Sequence, residues 1–269
     1  MAIIKSPIEM IGSIQGYSFY KQLGSDKVIA RTKGGASKQK IKKSPNFATL
    51  RLHQTEWAGS VKMSRNICRA IFHVKQLADF NVSAYLNGFS KKLQALDVEN
   101  PIGSRSIRLS AYKYLLDDFQ LDRIHTFASI LRISPAWEIL KDAAEAHVQI
   151  PYINTDTQLV NPTNLPYFRI ITTLGLVADM FMNPETGRYI FNNEDVNGTC
   201  IVSSTEWYST NRIIEPQELI MKINNETFET SGDDLSWILS IGVEFGKPGY
   251  DNQPVEVKRA GCAKILGVR

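Results

Sequence analysis

The chain has 269 residues, 43% of them apolar and 22% charged, which is enough for one or two cores and excludes a wholly disordered polymer. Its net charge of +4 is unevenly laid: residues 1–65 hold 12 Lys and Arg against 3 Asp and Glu, whereas residues 119–269 hold 12 against 19. Only three cysteines occur, far apart, and no run of about 18 apolar residues exists, which excludes a disulfide scaffold, a cysteine zinc finger and a membrane-spanning helix.

The first apolar stretch is too short for a secretory signal and is interrupted by Pro7 and Glu9, so a cytoplasmic address is expected, with release in particles or a specialised export route as the alternative. Residues 12–35 read as a glycine-punctuated hairpin. Ile14–Lys21 carries Tyr17, Phe19 and Tyr20, which favour a strand; Gly24-Ser25-Asp26 is turn chemistry; Lys27–Lys33 places Lys27, Arg31 and Lys33 on the face of Ile29. Such a hairpin alone is marginal in water and needs something to pack on. Residues 36–43, rich in Lys and Ser without apolar periodicity, read as a linker.

Ser44-Pro45 is a helix start, and Phe47, Leu50, Gln54, Trp57, Val61, Ser64, Cys68 and Ile71 follow at spacing three and four as one buried face. Arg51, Lys62, Arg65 and Arg69 form a second, basic row on the same helix. Further helices are expected over 83–96 and 104–116, packing with the first as a small antiparallel cluster. From about 119 the pattern changes to alternation and turns. Trp237, Leu239, Ile241, Val243 and Phe245 alternate with polar or small residues as a half-buried strand. Residues 167–182, 188–191, 199–203, 213–223 and 255–268 are further strands, with turns at Asn161-Pro162, Asn183–Gly187, Asn197-Gly198, Ser231-Gly232-Asp233 and Lys247-Pro248-Gly249. The expected fold class is α+β: a basic β-hairpin arm and linker (1–43), a helical region (44–118) and an antiparallel β-sandwich (119–269).

Several short stretches carry a resemblance: Gly12-Ser13-Ile14-Gln15-Gly16 with Val28-Ile29-Ala30-Arg31, residues 116–122 and 127–131, Val148–Tyr152, Leu159–Pro162, Tyr167–Ile170, Leu239–Phe245 and Ala263–Val268. On these the chain resembles an uncharacterised family of Bacteroidetes-type hypothetical proteins with a Gly-rich basic start, a helix and a β domain. The resemblance implies a layout and no activity.

Catalytic signatures are missing: there is no Walker A loop, Gly-x-Ser-x-Gly elbow, dinucleotide fingerprint or His-Glu-x-x-His pair. The acidic pairs Asp117-Asp118, Glu194-Asp195 and Asp233-Asp234 lack calcium-loop spacing and read as solvated loops. Cys68 and Cys262 read as buried thiols, and His125 and His147 as packed or surface histidines. No catalytic residue, cofactor or metal is therefore expected. The leading expectation is a structural protein that binds itself head to tail as a filament, tube or phage-like particle component. Its basic arm (Tyr17, Phe19, Tyr20, Lys27, Arg31, Lys33, Lys40, Lys42, Lys43) and first helix (Arg51, Lys62, Arg65, Arg69) would meet the acidic β domain of the next copy. The alternative is a nucleic-acid-binding module using those cations with Lys38, where interleaved aromatics stack on bases. A third class is a carbohydrate- or protein-binding sandwich anchored by exposed Trp207 or Tyr208.

Overall fold

A computed structural model describes residues 2–4, 10–21, 26–32, 34–224 and 232–269. Lys33, the turn residues Gly24 and Ser25, and Ser231 of the later turn lie outside the described residues. The chain divides into two compact units, Met1–Arg51 and Leu52–Arg269.

The first unit holds an antiparallel sheet of β1 (Ala2–Ile4), β2 (Gly12–Ile14), β3 (Tyr17–Lys21) and β4 (Val28–Thr32) in the order β1-β4-β3-β2. The single strand expected over Ile14–Lys21 is two strands, because Gln15 and Gly16 both take left-handed conformations (φ 42° and 85°) and turn the chain between Ile14 and Tyr17. Paired positive φ values are what a two-residue hairpin turn matching strand twist requires. The expected linker is also corrected: α1 (Lys38–Lys43) is a short helix. Six residues are too few to show periodicity, and its ends are held by side chains instead. The Ser37 hydroxyl accepts the Lys40 N–H at 3.2 Å, and Arg51 Nη1 donates to the Ile41 and Ser44 carbonyls at 2.7 and 2.9 Å. Pro45–Phe47 is a single 3-10 turn, and the Ser44 side chain caps nothing.

Helix α2 (Ala48–Ala70) follows, then α3 (Phe72–Lys75) and α4 (Val82–Ala95), the last capped by Asn81, whose side chain accepts the Ala84 N–H at 3.2 Å. The buried face of α2 differs from the expected one. Leu50, Gln54 and Trp57 are exposed, and the buried row is Glu56, Gly59, Ser60, Met63, Ile67 and Ala70, with Ser64, Cys68 and Ile71 kept from the expected set. The cause is a buried polar network. The Glu56 carboxylate pairs with Lys91, lies 3.9 Å from Arg105 and accepts the Gly103 N–H at 2.9 Å. Gln94 donates to the Tyr189 hydroxyl at 2.8 Å, and a Cβ on Gly59 would sit 2.7 Å from the Tyr189 ring. Small and polar residues face inward because the partners they need are there.

The helix expected over 104–116 is reduced to a 3-10 segment, Ser110–Leu116, broken at Tyr112 (φ −129°, ψ 36°). The residues before it are irregular and gathered on Asp97, whose carboxylate accepts the N–H groups of Glu99, Asn100 and Ser106 at 3.1, 3.1 and 2.6 Å.

The sheet-rich part contains α5 (Phe127–Ile130), β5 (Ala136–Leu140), β6 (Glu145–Ile150), β7 (Ile153–Asn154), α6 (Thr155–Gln158), β8 (Tyr167–Ala178), β9 (Met180–Asn183), β10 (Arg188–Phe191), β11 (Cys200–Ser204), β12 (Tyr208–Ser209), β13 (Ile213–Ile214), β14 (Gln217–Lys222), β15 (Leu235–Pro248) and β16 (Pro254–Val268). A five-stranded sheet runs β11-β8-β15-β16 with β12 also on β8, and a three-stranded sheet runs β14-β6-β5; β9 pairs with β10 and β7 with β13. The fold is α+β, with a C-terminal region rich in antiparallel sheet.

Strand β15 is buried on both sides, not half-buried: Ser236, Ser240, Gly242 and Glu244 are as enclosed as Trp237 and Phe245. On one face the helices come so close that a Cβ at Gly175 would lie 2.1 Å from the Ala70 carbonyl oxygen, and one at Gly242 2.7 Å from Leu77. On the other face Trp137 of β5 lies against Gly267, where a Cβ would be 2.3 Å from its ring. Helices, large sheet and small sheet thus form three layers of the second unit around one apolar cluster. Small residues on the helix-facing side of β8 and β15 are what permit the close approach.

Candidate functional site

In the first unit, strand pairing separates the aromatics. Tyr17 and Phe19 share a face with Ile14 and Val28, while Tyr20 lies with Ile29 and Arg31, whose guanidinium is 5.4 Å from the Tyr20 ring centre. Strand β2 pairs with β3 alone among the described strands, and apolar side chains flank its other edge: Ile11, Ile14 and Tyr17 are 70%, 56% and 51% exposed. Val28 and Ile29 of β4 are buried. Lys21 pairs with Asp26 at 2.9 Å. Lys27 is exposed, and Lys38, Lys40, Lys42 and Lys43 stand exposed on α1, the last three in the turn where the helix dipole favours cations. Arg51 is committed to the end of that helix. Residues 1–51 hold 10 Lys and Arg against 2 Asp and Glu, net +8.

The other basic residues of α2 are in the second unit and do not form one open row. Lys62 donates to the Tyr189 carbonyl at 3.1 Å, pairs with Glu194 at 3.2 Å and lies 4.8 Å from the Phe191 ring centre. Arg69 donates to Asn66 at 3.4 Å and packs beside Gly198. Arg65 is exposed without an ion-pair partner among the described residues.

The second unit is net −4, with 21 Lys and Arg against 25 Asp and Glu. Its clearest unclaimed surface is the outer face of the three-stranded sheet. Register places Glu138 opposite His147, and Glu218 and Lys222 opposite Gln149 and Glu145. His147 Nδ1 is 2.9 Å from Glu218 and its Nε2 3.4 Å from Glu145, which also accepts Lys222 at 2.6 Å. The Glu218 hydrogen bond, outweighing partial burial and helped by Glu145, holds the imidazole above its usual pKa of 6.5. Strand β5 pairs only with β6 among the described strands. A groove of about 200 Å³ beside it is lined by Ala136, Trp137, Glu138, His147 and Gln149, with Leu140 and Ile220 exposed on the same face. The alternation of Ala146, Val148 and Ile150 with Glu145, His147 and Gln149 was the signal for these strands, and the sequence reading passed over it.

The expected anchors Trp207 and Tyr208 are not exposed in loops. Arg169 covers the Trp207 ring at 4.6 Å, the ring packs on Gly246, and the Tyr208 hydroxyl of β12 meets Gln217 at 3.1 Å. Three of the six carboxylates in the acidic pairs are engaged: Asp117 accepts the Val268 N–H at 2.7 Å, Asp118 pairs with Lys264 at 2.6 Å and Glu194 with Lys62. Cys68 and Cys262 are buried, and burial pushes the Cys262 thiol up to about 12. Among the described residues no group of three His, Cys, Asp or Glu is placed to hold a metal ion, and no helix is long and apolar enough to cross a membrane. Compared with known proteins, the chain matches no family model, and neither a curated protein nor a solved structure is similar to it.

Proposed function

We propose that this protein is a non-enzymatic structural component that binds its own kind head to tail: the basic, open-edged arm of one copy docks on the acidic, open-edged sheet of the next. The observation that carries this reading is the arm itself. It presents a strand edge that is unpaired among the described strands and is flanked by Ile11, Ile14 and Tyr17, which stand in solvent, and it is net +8. A small sheet of that kind is poorly stable on its own, and an edge strand is a template for a further strand. The receiving face offers Glu138 on β5, whose outer edge is unpaired among the described strands, with Glu145 of β6 and Glu218 of β14 on the same face. Contact between two different patches closes into rings or runs on as filaments, according to the rotation it imposes. The Bacteroidetes-type resemblance belongs to the same proposal and supplies no activity to it.

Sedimentation and light scattering of the full chain test it. Association is expected at low salt, weakening as salt rises, and falling in a Glu138→Lys, Glu218→Lys double variant with an unchanged far-ultraviolet spectrum. A mass that stays monomeric at high concentration and low salt overturns it.

A second reading, nucleic-acid binding, is favoured by one observation: Lys38, Lys40, Lys42 and Lys43 are presented on a capped helix rather than a loose linker. Titration with DNA and RNA at about 50 mM salt, where phosphate contacts are strong, decides it.

A further inference from the structure

Away from the acidic face, the second unit has a cavity of about 450 Å³ at the corner between α3 and α4, lined by Lys75, Asp79, Phe80, Asn81, Ser83 and, from β16, Arg259. That volume is within the range that encloses a small ligand. Its acceptors are largely occupied. The Asp79 carboxylate takes the N–H groups of Arg123 and Ile124 at 3.1 and 3.3 Å, and Asn81 Oδ1 takes the Ala84 N–H at 3.2 Å. Its donors are not: neither Lys75 nor Arg259 has an ion-pair partner among the described residues, and the Asn81 amide nitrogen makes no hydrogen bond there. Arg123, stacked 4.1 Å over the Phe80 ring, adds a third cation beside the cavity.

The backbone that delivers Arg259 is unusual. The β15–β16 ladder pairs Glu244 with Gly261 and Gly246 with Glu256, so the single residue Phe245 lies opposite four, Val257 to Ala260. Within that bulge Arg259 is left-handed, φ 59°, a conformation that glycine and asparagine adopt with less strain. The next turn of the bulge is fixed by Gly261, φ 147°, where a Cβ would lie 2.0 Å from the Val243 carbonyl oxygen. Bulges re-aim side chains, and this one brings a guanidinium to the wall of a cavity already holding an unpaired ammonium.

We propose that this cavity binds a small molecule bearing an oxyanion, phosphoryl or carboxylate, gripped by Lys75 and Arg259. The test is calorimetric titration and thermal unfolding of the full chain with pyrophosphate and, separately, citrate, with potassium chloride holding ionic strength constant. Saturable binding is expected, with the Tm raised by about 5 °C at ~100 times Kd. Arg259→Gly is expected to weaken binding at least about tenfold while raising the Tm of the ligand-free protein, because glycine relieves the left-handed strain. Lys75→Gln is expected to weaken binding similarly without that rise. Saturation by pyrophosphate alone assigns a phosphoryl group, and by citrate alone a polycarboxylate. The proposal is overturned if neither anion binds saturably up to about 10 mM, or if both variants bind as the parent does.

Discussion

Residues 52–269 and residues 1–51 are both built largely on antiparallel sheet, yet they reach stability by opposite routes. The larger unit packs Trp237, Phe245, Phe168, Ile67 and their neighbours into one enclosed cluster, with its central strands covered on both faces. The smaller unit buries Val28 and Ile29 and leaves Ile11, Ile14 and Tyr17 in solvent. At about 25 cal/mol for each Å² of apolar surface removed from water, the side chains enclosed in the larger unit contribute far more than the two buried on β4. What the difference teaches is that a regular antiparallel ladder can be laid down by turn chemistry and pairing while large apolar side chains beside it stay in solvent.

The comparison breaks most severely at Gly175. Its replacement by Val drives a side chain into the Ala70 carbonyl, and a loss of about 3 kcal/mol or more is expected in urea unfolding of the whole chain, with no counterpart for Gly34→Val in the arm, where a Cβ meets nothing within 4 Å. Glu56→Ala comes next. It strands Lys91 and the Gly103 N–H beside a buried network, and about 3 kcal/mol is expected by the same measurement.

Asp97→Asn is smaller, about 2 kcal/mol at neutral pH. Burial opposes ionisation of this carboxyl, but the Asn100 side chain and the N–H groups of Ser106, Asn100 and Glu99 together hold its pKa at about 2. A folded value below the ordinary 3.8 means that its stabilisation is present above pH 3.8 and disappears as the pH falls from there to about 2, a dependence that Asp97→Asn should flatten.

Limited trypsin digestion sharpens the contrast without unfolding anything. Cleavage is expected first among Lys38, Lys40, Lys42 and Lys43, leaving a fragment that begins between residues 39 and 44, and association should slow it. The smallest effect is on pH. His147 has a raised pKa, so its charge stabilises the sheet fully below pH 6.5 and is lost as pH rises through the folded value. Over that window the face containing Glu138, Glu145, Glu218 and Lys222 becomes one charge more negative. Self-association should therefore tighten about two- to threefold, and His147→Gln should remove the slope.

Much of the fold was legible from local pattern. The strands over 188–191, 199–203 and 255–268 and the helix over 83–96 were read within a few residues, because turns and alternation mark them. Three things were not. The inward face of α2 depends on Lys91, Gln94 and Tyr189, remote in sequence, which draw Glu56 and Ser60 in and leave Trp57 out. Serines and glycines on β15 read as solvent-facing because small residues serve equally well under a closely packed helix. Of the candidate surfaces, the charge gradient was visible in the sequence, whereas the His147 cluster needed the pairing of β5, β6 and β14, which joins residues 138, 147 and 218.

Strand β8 has a consequence for how the polypeptide is made. Its neighbour β11 follows soon after it, but its other neighbour begins only at Leu235, paired with Ala178. A nascent chain halted before that point would hold a twelve-residue strand, ten of whose residues are buried in the finished fold, with one side unzipped. Synthesis must therefore outrun aggregation, or a chaperone must shield β8 until the late partner emerges from the ribosome.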